Sequence, residues 1–329
     1  MDAKSIDTPT VCVPDTDQEL CTAVSGCERR TFTDKCGVMR IVDCGACTGG
    51  MGCSAGTCKT PACSPTATYQ QTPFPNMSRT SIEDSIGGAT PDGQVILYVL
   101  TDAATAACQA YHLVVADEVT VGSGTYTQRD VSTTFGTLGL FVGQDGYTIT
   151  SDGLTIVTTT TNRKSLKSTK RSAINAVDWG TASDADFVNI NMQTVSNTKV
   201  IYSPTLSADG LEFWYSLADS AGTVPYVSVR DSTTAPFPAG TAAPAPVSTY
   251  PLVAGISSDR LAIFVFDNFS GRLLTRNTTS AMFTNPNAPA APPQIPGWAH
   301  KPLASCAKIV AMYSPGGCAN EDVVVITRQ

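Results

Sequence analysis

The sequence predicts an all-β protein: a five-bladed β-propeller of four-stranded antiparallel blades behind a small disulfide-rich N-terminal module. Three observations predict it. Apolar residues make up 42% of the 329-residue chain and charged ones only 15%, with Thr, Ser, Val and Gly abundant. β-branched side chains suit a pleated, half-buried surface, and no long amphipathic helical stretch competes. Nine of the 12 cysteines fall between Cys12 and Cys63. From about residue 80 onward, a turn followed by an apolar strand recurs at intervals of roughly 50 to 60 residues, the scale of a propeller blade.

The cysteines come first in chain order: Cys12, Cys21, Cys27, Cys36, Cys44, Cys47, Cys53, Cys58 and Cys63, with Cys108, Cys306 and Cys318 further on. So small a segment cannot bury an adequate core, so covalent staples must hold it. That density reads as disulfides formed in an oxidising compartment. Zinc is the weaker reading: only Cys44 and Cys47 have tight ligand spacing, and the chain holds two His. The spacing does not choose among pairings. Nine is odd, so a fully paired chain needs a bridge from this segment to Cys108, Cys306 or Cys318, with Cys63 the candidate. The run C-x8-CG-x5-DCGAC-x5-C-x4-C from Cys27 to Cys58 resembles short cysteine-rich modules of secreted and surface proteins of myxobacteria, and implies export. The expected domains are residues 1–63 and 64–329.

The repeat follows. Its turns are Thr90-Pro-Asp92-Gly93, Thr150-Ser-Asp152-Gly153, Ser207-Ala-Asp209-Gly210 and Ser257-Ser-Asp259-Arg260, each leading into an apolar strand. A fifth, degenerate copy spans Ala304–Met312, with Ala307 in the aspartate's place. Asp accepts backbone N–H bonds just after it and Gly takes positive φ, which reverses the chain. Asp259-Arg260 lacks the Gly, so that turn is strained or of another type. Arg171, Arg230, Arg276 and Arg328 close the next-but-one strand, and Trp179, Phe237 and Phe283 follow as aromatic plugs expected to be buried between blades. The pattern resembles the WD40-like repeats of periplasmic TolB-type propellers over residues 80–329. The last unit has no room for a fourth strand, so residues 66–78 are expected to supply it. The Pro- and Ala-rich segments 235–247 and 285–296 cannot be central strands and read as crossings or irregular outer edges.

No catalytic signature emerges. A propeller glycosidase needs carboxylates meeting at the axis, yet the inner strands offer few: Glu83 and Asp84 in the first unit and Asp145 before the second. His112 and His300 stand outside any nucleophile motif; structural roles are expected for both, with His300 near the axis. Asp15-Thr-Asp17-Gln-Glu19 alternates acids but lacks a calcium loop's Gly and distal Glu, so a solvated turn is expected. One charge cluster stands out in a chain of net charge −7: Arg163, Lys164, Lys167 and Lys170, a solvated hairpin or a patch for an anionic glycan, lipid head group or acidic partner. Arg171 belongs to the repeat. Candidate binding residues are therefore Arg163, Lys164, Lys167, Lys170, Glu83, Asp84 and His300, with no metal site and no cofactor expected.

An acidic chain without a long basic block makes a poor nucleic-acid binder, and no apolar run reaches the roughly 20 residues of a membrane span. A removed signal is expected to account for export. These readings point to an extracellular, cell-surface or periplasmic binding or scaffold protein whose propeller engages a protein or polysaccharide, with self-assembly as a variant. The rivals are a glycoside hydrolase or lyase acting through the central channel, and a multivalent lectin with one site per blade.

Overall fold

The computed structural model describes residues 12–23, 29–44, 52–54, 57–59, 63, 69–74, 83–101, 111–143, 146–195, 198–267, 270–286, 294–295, 298–303, 306, 308–313 and 322–328. Its internal contacts divide the chain into a smaller unit, residues 1–61 with 277–281, and a larger one, residues 62–276 with 282–329.

In the smaller unit, Asp17–Ala23 forms a short helix. The acidic segment read as a solvated turn is this helix's start. The Thr16 N–H donates to Glu19 Oε2 at 2.7 Å, and the Glu19 N–H donates to Thr16 Oγ1 at 3.2 Å. This reciprocal capping box satisfies two donors that a helix start leaves open. Its signature, Thr-x-x-Glu, was present at residues 16–19. Arg29–Thr33 and Met39–Asp43 form a hairpin whose turn is held by Asp34 Oδ1, which accepts from the N–H groups of Cys36 and Val38. Disulfides join Cys12 to Cys36 and Cys21 to Cys44.

The larger unit contains five antiparallel sheets. Blade 1 comprises Glu83–Ala89, Val95–Thr101, Tyr111–Glu118 and Tyr126–Asp130. Blade 2 comprises Tyr147–Ile149, Thr155–Thr159 and Leu166–Lys170. Blade 3 runs through Val200–Leu206, Glu212–Asp219, Gly222–Val229 and Thr241–Ala242. Blade 4 runs through Leu252–Ile256, Ala262–Asp267, Ser270–Thr275 and Gln294–Ile295. Blade 5 holds Trp298–Pro302, Lys308–Tyr313 and Asp322–Arg328, and its outer strand is Tyr69–Pro73. The first strand of each blade touches the first strands of both neighbours, so five inner strands ring an axis.

Strand alternation explains how the blades stack. Successive side chains of a strand point to opposite faces. In the second strand of blade 1, Val95, Leu97 and Val99 face blade 2, in a cluster with Tyr147, Ile149 and Ile156. Ile96 and Tyr98 face blade 5, in a cluster with Val310 and Val323. Three further apolar clusters fill the junctions of blades 2 and 3, 3 and 4, and 4 and 5. The second strands are therefore buried on both faces, which is why they read as continuous apolar runs.

Four turns repeat one hydrogen-bond pattern. Asp92 Oδ1 accepts from the Gln94 N–H and the Thr90 hydroxyl, and Thr90 Oγ1 accepts from the Val95 N–H. Asp152, Asp209 and Asp259 do the same with Thr150, Ser207 and Ser257. Gly93, Gly153 and Gly210 take φ of 76°, 69° and 71°. Arg260 takes the same place at φ 60°, so the glycine-less turn is the same turn, strained. Its side chain reaches back to blade 3, with Nε 3.2 Å from Asp209 Oδ2. The fifth turn is described in part. The Cys306 N–H donates to the Leu303 carbonyl at 2.8 Å, as the Gly93 N–H does to Thr90, and Cys306 has φ 47°. Cys306 therefore takes the glycine's place; Ala307, expected in the aspartate's place, lies outside the described residues. Without Asp or Gly there, the sequence carried no marker of the turn.

Each recurrent Arg of blades 2 to 4 fastens its turn. Nε of Arg171, Arg230 and Arg276 donates to the carbonyl of Gly153, Gly210 and Arg260 at 3.0, 2.7 and 2.7 Å. Their guanidinium groups lie over Trp179, Phe237 and Phe283, at 5.1, 4.1 and 4.3 Å from the ring centres. All three rings are buried. Two of these arginines also cross to the preceding blade: Arg171 is bidentate to Asp117 at 2.6 and 2.8 Å, and Arg276 meets Glu212 at 2.7 Å.

Blade 2 departs from the four-stranded plan. Its outer position is filled by isolated bridges, Ser168 with Ser183 and Arg171 with Trp179, and by a helix, Val188–Val195. From that helix, Asn191 Oδ1 accepts the Leu166 N–H at 2.7 Å and its Nδ2 donates to the Leu166 carbonyl at 3.0 Å. One amide side chain thus replaces a missing strand's pair of bonds. Asn191→Ala would leave both buried groups unpaired and is expected to cost about 1–3 kcal/mol in chemical denaturation; a loss below a few tenths would show that the edge is closed otherwise. In blades 3 and 4 the Pro- and Ala-rich segments supply outer strands of only two residues, because proline brings no ladder donor.

Candidate functional site

The axis has two mouths. At one, the five inner strands end and run into their turns; at the other, they begin. The turn-side mouth is lined by the ends of all five inner strands, from Ala89 through Ile149, Leu206 and Ile256 to Pro302, and by Pro91, Ser151, Ala208 and Ser258. The latter four occupy the same place in successive turns, just before the aspartate, so the repeat itself builds the rim. The polar lining is Thr148, Thr205, Ser151, Ser258 and Lys301; Lys301 is the sole charge among the lining residues. Its Nζ donates to the Ala254 carbonyl of blade 4 at 2.6 Å. Thr148 and Thr205 bridge neighbouring inner strands through Leu206 N–H and the Val253 carbonyl. The space between these groups is about 40 Å³, small beside the hundreds of Å³ of sites that bury a drug-sized ligand.

The opposite mouth receives the starts of the inner strands. Glu83 and Asp84 lie there, paired in register with Thr101 and Leu100; their side chains, and Asp145, fall outside the described residues. Arg163 reaches the same end from the second hairpin of blade 2. That hairpin repeats the inner turn in other letters: Thr160 and Asn162 stand for Thr and Asp, with the Lys164 and Ser165 N–H groups bound as before. Arg163 occupies the glycine's place at φ 56°. Its guanidinium carbon is 4.1 Å from the centre of the Phe141 ring and 4.3 Å from that of Tyr202. The buried Tyr147 hydroxyl nearby donates to the Phe141 carbonyl at 2.7 Å and accepts from the Gly143 N–H; burial holds its pKa well above the usual phenol value.

The four basic residues do not form one surface. Lys164 Nζ donates to the Lys199 carbonyl at 2.6 Å. Lys167 and Lys170, three apart on the strand Leu166–Lys170, point to opposite faces. Lys167 lines an open concavity of about 500 Å³ with Gly139, Thr160, Thr161, Asn162 and Ser165. Arg171 is buried and structural, as its repeat position implied.

His300 does not line the axis. A bulge between Trp298 and Lys301 shifts the inner strand of blade 5 and turns the ring toward blade 4, where it stacks on Phe264 at 5.7 Å and is fully buried. A Cβ on Gly271 would fall 1.9 Å from its Cε1. Gly271→Ala is therefore expected to cost about 1–3 kcal/mol by overpacking, and His300→Ala in that background should recover part of the loss. Equal stability of Gly271→Ala and the wild type would remove this account. His112 is exposed and pairs with Asp130 at 2.8 Å. Burial alone would raise the Asp130 pKa, but bonds from Ser132 and from His112 hold it below the usual value. Among the described residues, no group of three or more His, Cys, Asp or Glu is placed to hold a metal ion, and no helix is long and apolar enough to cross a membrane.

No protein-family model matches the chain, and no curated protein matches it in sequence. Solved structures share the fold. The α-L-arabinofuranosidase of Podospora anserina, solved in complex with cellotriose, is 12% identical, with 82% of this chain and 98% of that one covered and a TM-score of 0.50. A family 117 glycoside hydrolase produced by the marine bacterium Zobellia galactanivorans is 10% identical, with 80% and 90% covered and a TM-score of 0.47. TolB from Acinetobacter baumannii is 9% identical over 92% of this chain, with a TM-score of 0.38; the chain spans 59% of TolB's length. At such identities the likeness is one of fold.

Proposed function

We propose that the protein is an exported, non-catalytic binding or scaffold protein of the periplasm or cell surface, whose propeller engages a protein or polysaccharide. The observation that carries this reading is the turn-side mouth, lined by hydroxyls, small apolar groups and Lys301, without a carboxylate among its lining residues. Acid–base cleavage of a glycosidic bond needs two carboxylates about 5–10 Å apart. The aromatics that recur from blade to blade are buried beneath arginines, so they offer no sugar-stacking platform in each blade, as a multivalent lectin would require. The disulfides support an oxidising compartment. In this reading residues 1–63, akin to exported cysteine-rich modules, serve as a protease-resistant spacer or second contact, and the TolB-like repeats supply a rigid disc.

The test is a glycan array paired with a pull-down on the oxidised protein, followed by incubation with each captured glycan. Saturable binding without turnover is expected. Steady release of sugar, abolished by Glu83→Gln or Asp84→Asn, would replace this reading with a hydrolase or lyase working from the strand-start mouth.

A further inference from the structure

We propose that the second hairpin of blade 2 binds an acidic polysaccharide, with Arg163 gripping its oxyanion groups; this rests on the binding role argued above and names the ligand class. Three observations carry it. First, the Arg163 guanidinium carbon lies 4.1 Å from the centre of the Phe141 ring and 4.3 Å from that of Tyr202. Two cation–π contacts hold the group in place. Its N–H donors have no acceptor among the described residues. The partner that such a fork fits is a carboxylate or sulfate, held by paired charge-assisted bonds.

Second, Arg163 keeps a left-handed backbone, φ 56°, at the place where three inner turns of the same design use Gly. That conformation is unfavourable for a non-Gly residue, and such strain points to a side chain retained for a task. Third, a concavity of about 500 Å³ adjoins Arg163 in the chain: Thr160, Thr161, Asn162, Ser165 and Lys167 of the same hairpin line it, with Gly139, two residues before Phe141. Hydroxyl and amide groups suit sugar hydroxyls, and one Lys adds a second cation. Two cations in a chain of net charge −7 suit isolated oxyanions along a sugar chain, whereas nucleic acid demands many phosphate contacts.

Titration calorimetry on the full oxidised protein separates the possibilities, using oligogalacturonate as the carboxylate arm, a carrageenan oligosaccharide as the sulfate arm and xylohexaose as the neutral arm. Binding is expected on at least one anionic arm, weakening as salt rises. Arg163→Gln should weaken it roughly tenfold or more, the loss of one charge-assisted pair, and Lys167→Gln by a smaller factor with an unchanged Tm. Anionic binding that both variants leave intact, or binding to the neutral arm alone, overturns the proposal while leaving a binding role in place. Capture of a protein partner with no glycan bound does the same. No binding to any glycan or protein defeats the underlying reading as well.

Discussion

Asp117→Ala is expected to destabilise the propeller by about 3–5 kcal/mol, the loss typical of breaking a buried ion pair from one side. Asp117 and Arg171 are both inaccessible to solvent, and Asp117 also pairs with Arg129. Removing the carboxylate leaves the Arg171 guanidinium charged inside the junction of blades 1 and 2, because arginine does not deprotonate in proteins. The cost comes from that orphaned charge more than from the lost attraction. It follows that Asp117→Ala with Arg171→Met should recover much of the loss, since replacing a whole buried pair with apolar groups is often close to neutral. Arg129→Ala, at a partly exposed site, should cost far less. Denaturant titration of the three variants tests the ordering; a double variant as unstable as the single one would show that Asp117 acts through some other contact.

The second large effect concerns Cys63 and Cys306, which are bonded across a sequence separation of 243 and fully buried. Cys306 sits in the fifth turn at the place that Gly93, Gly153 and Gly210 hold in others. In blades 2 to 4 that residue's carbonyl is bound by an arginine; in blade 5 the residue itself is bound covalently, to a position just before the outer strand Tyr69–Pro73. Replacing both cysteines with alanine should lower stability by about 2–5 kcal/mol, mostly by freeing the unfolded chain. Burial also predicts that dithiothreitol reduces this bridge slowly under native conditions and readily in denaturant, as mass spectrometry of alkylated thiols would show. Rapid native-state reduction would mean that this part of blade 5 opens often.

The blades were legible because their markers are local. An aspartate and a glycine in fixed order make a turn on their own, and an apolar run doubly buried looks the same in every blade. The closing pair, Tyr69–Pro73 with Asp322–Arg328, lies within the segment expected to close the ring, since a missing strand leaves a countable gap. What crosses between blades was not legible. Arg171 and Arg276 recur in register, but their acids do not: Asp117 sits near the end of a third strand and Glu212 at the start of a second. The Asn191 cap had no marker either, because one amide standing in for a strand leaves no periodic trace. His300 was expected near the axis by its place in the chain, and a single bulge turned it away. For Arg163 the charge was visible in the sequence; its two aromatic contacts were not, because Phe141 and Tyr202 lie far from it in the chain, on either side.

Ring closure also constrains the order of events at the ribosome. Tyr69–Pro73 emerges before blade 1, yet its hydrogen-bonding partner, Asp322–Arg328, emerges after almost all of blade 5. Until then the early strand has an unsatisfied edge and the nascent disc is an open arc with bare terminal faces. Such distant pairing slows folding and prolongs exposure to wrong partners.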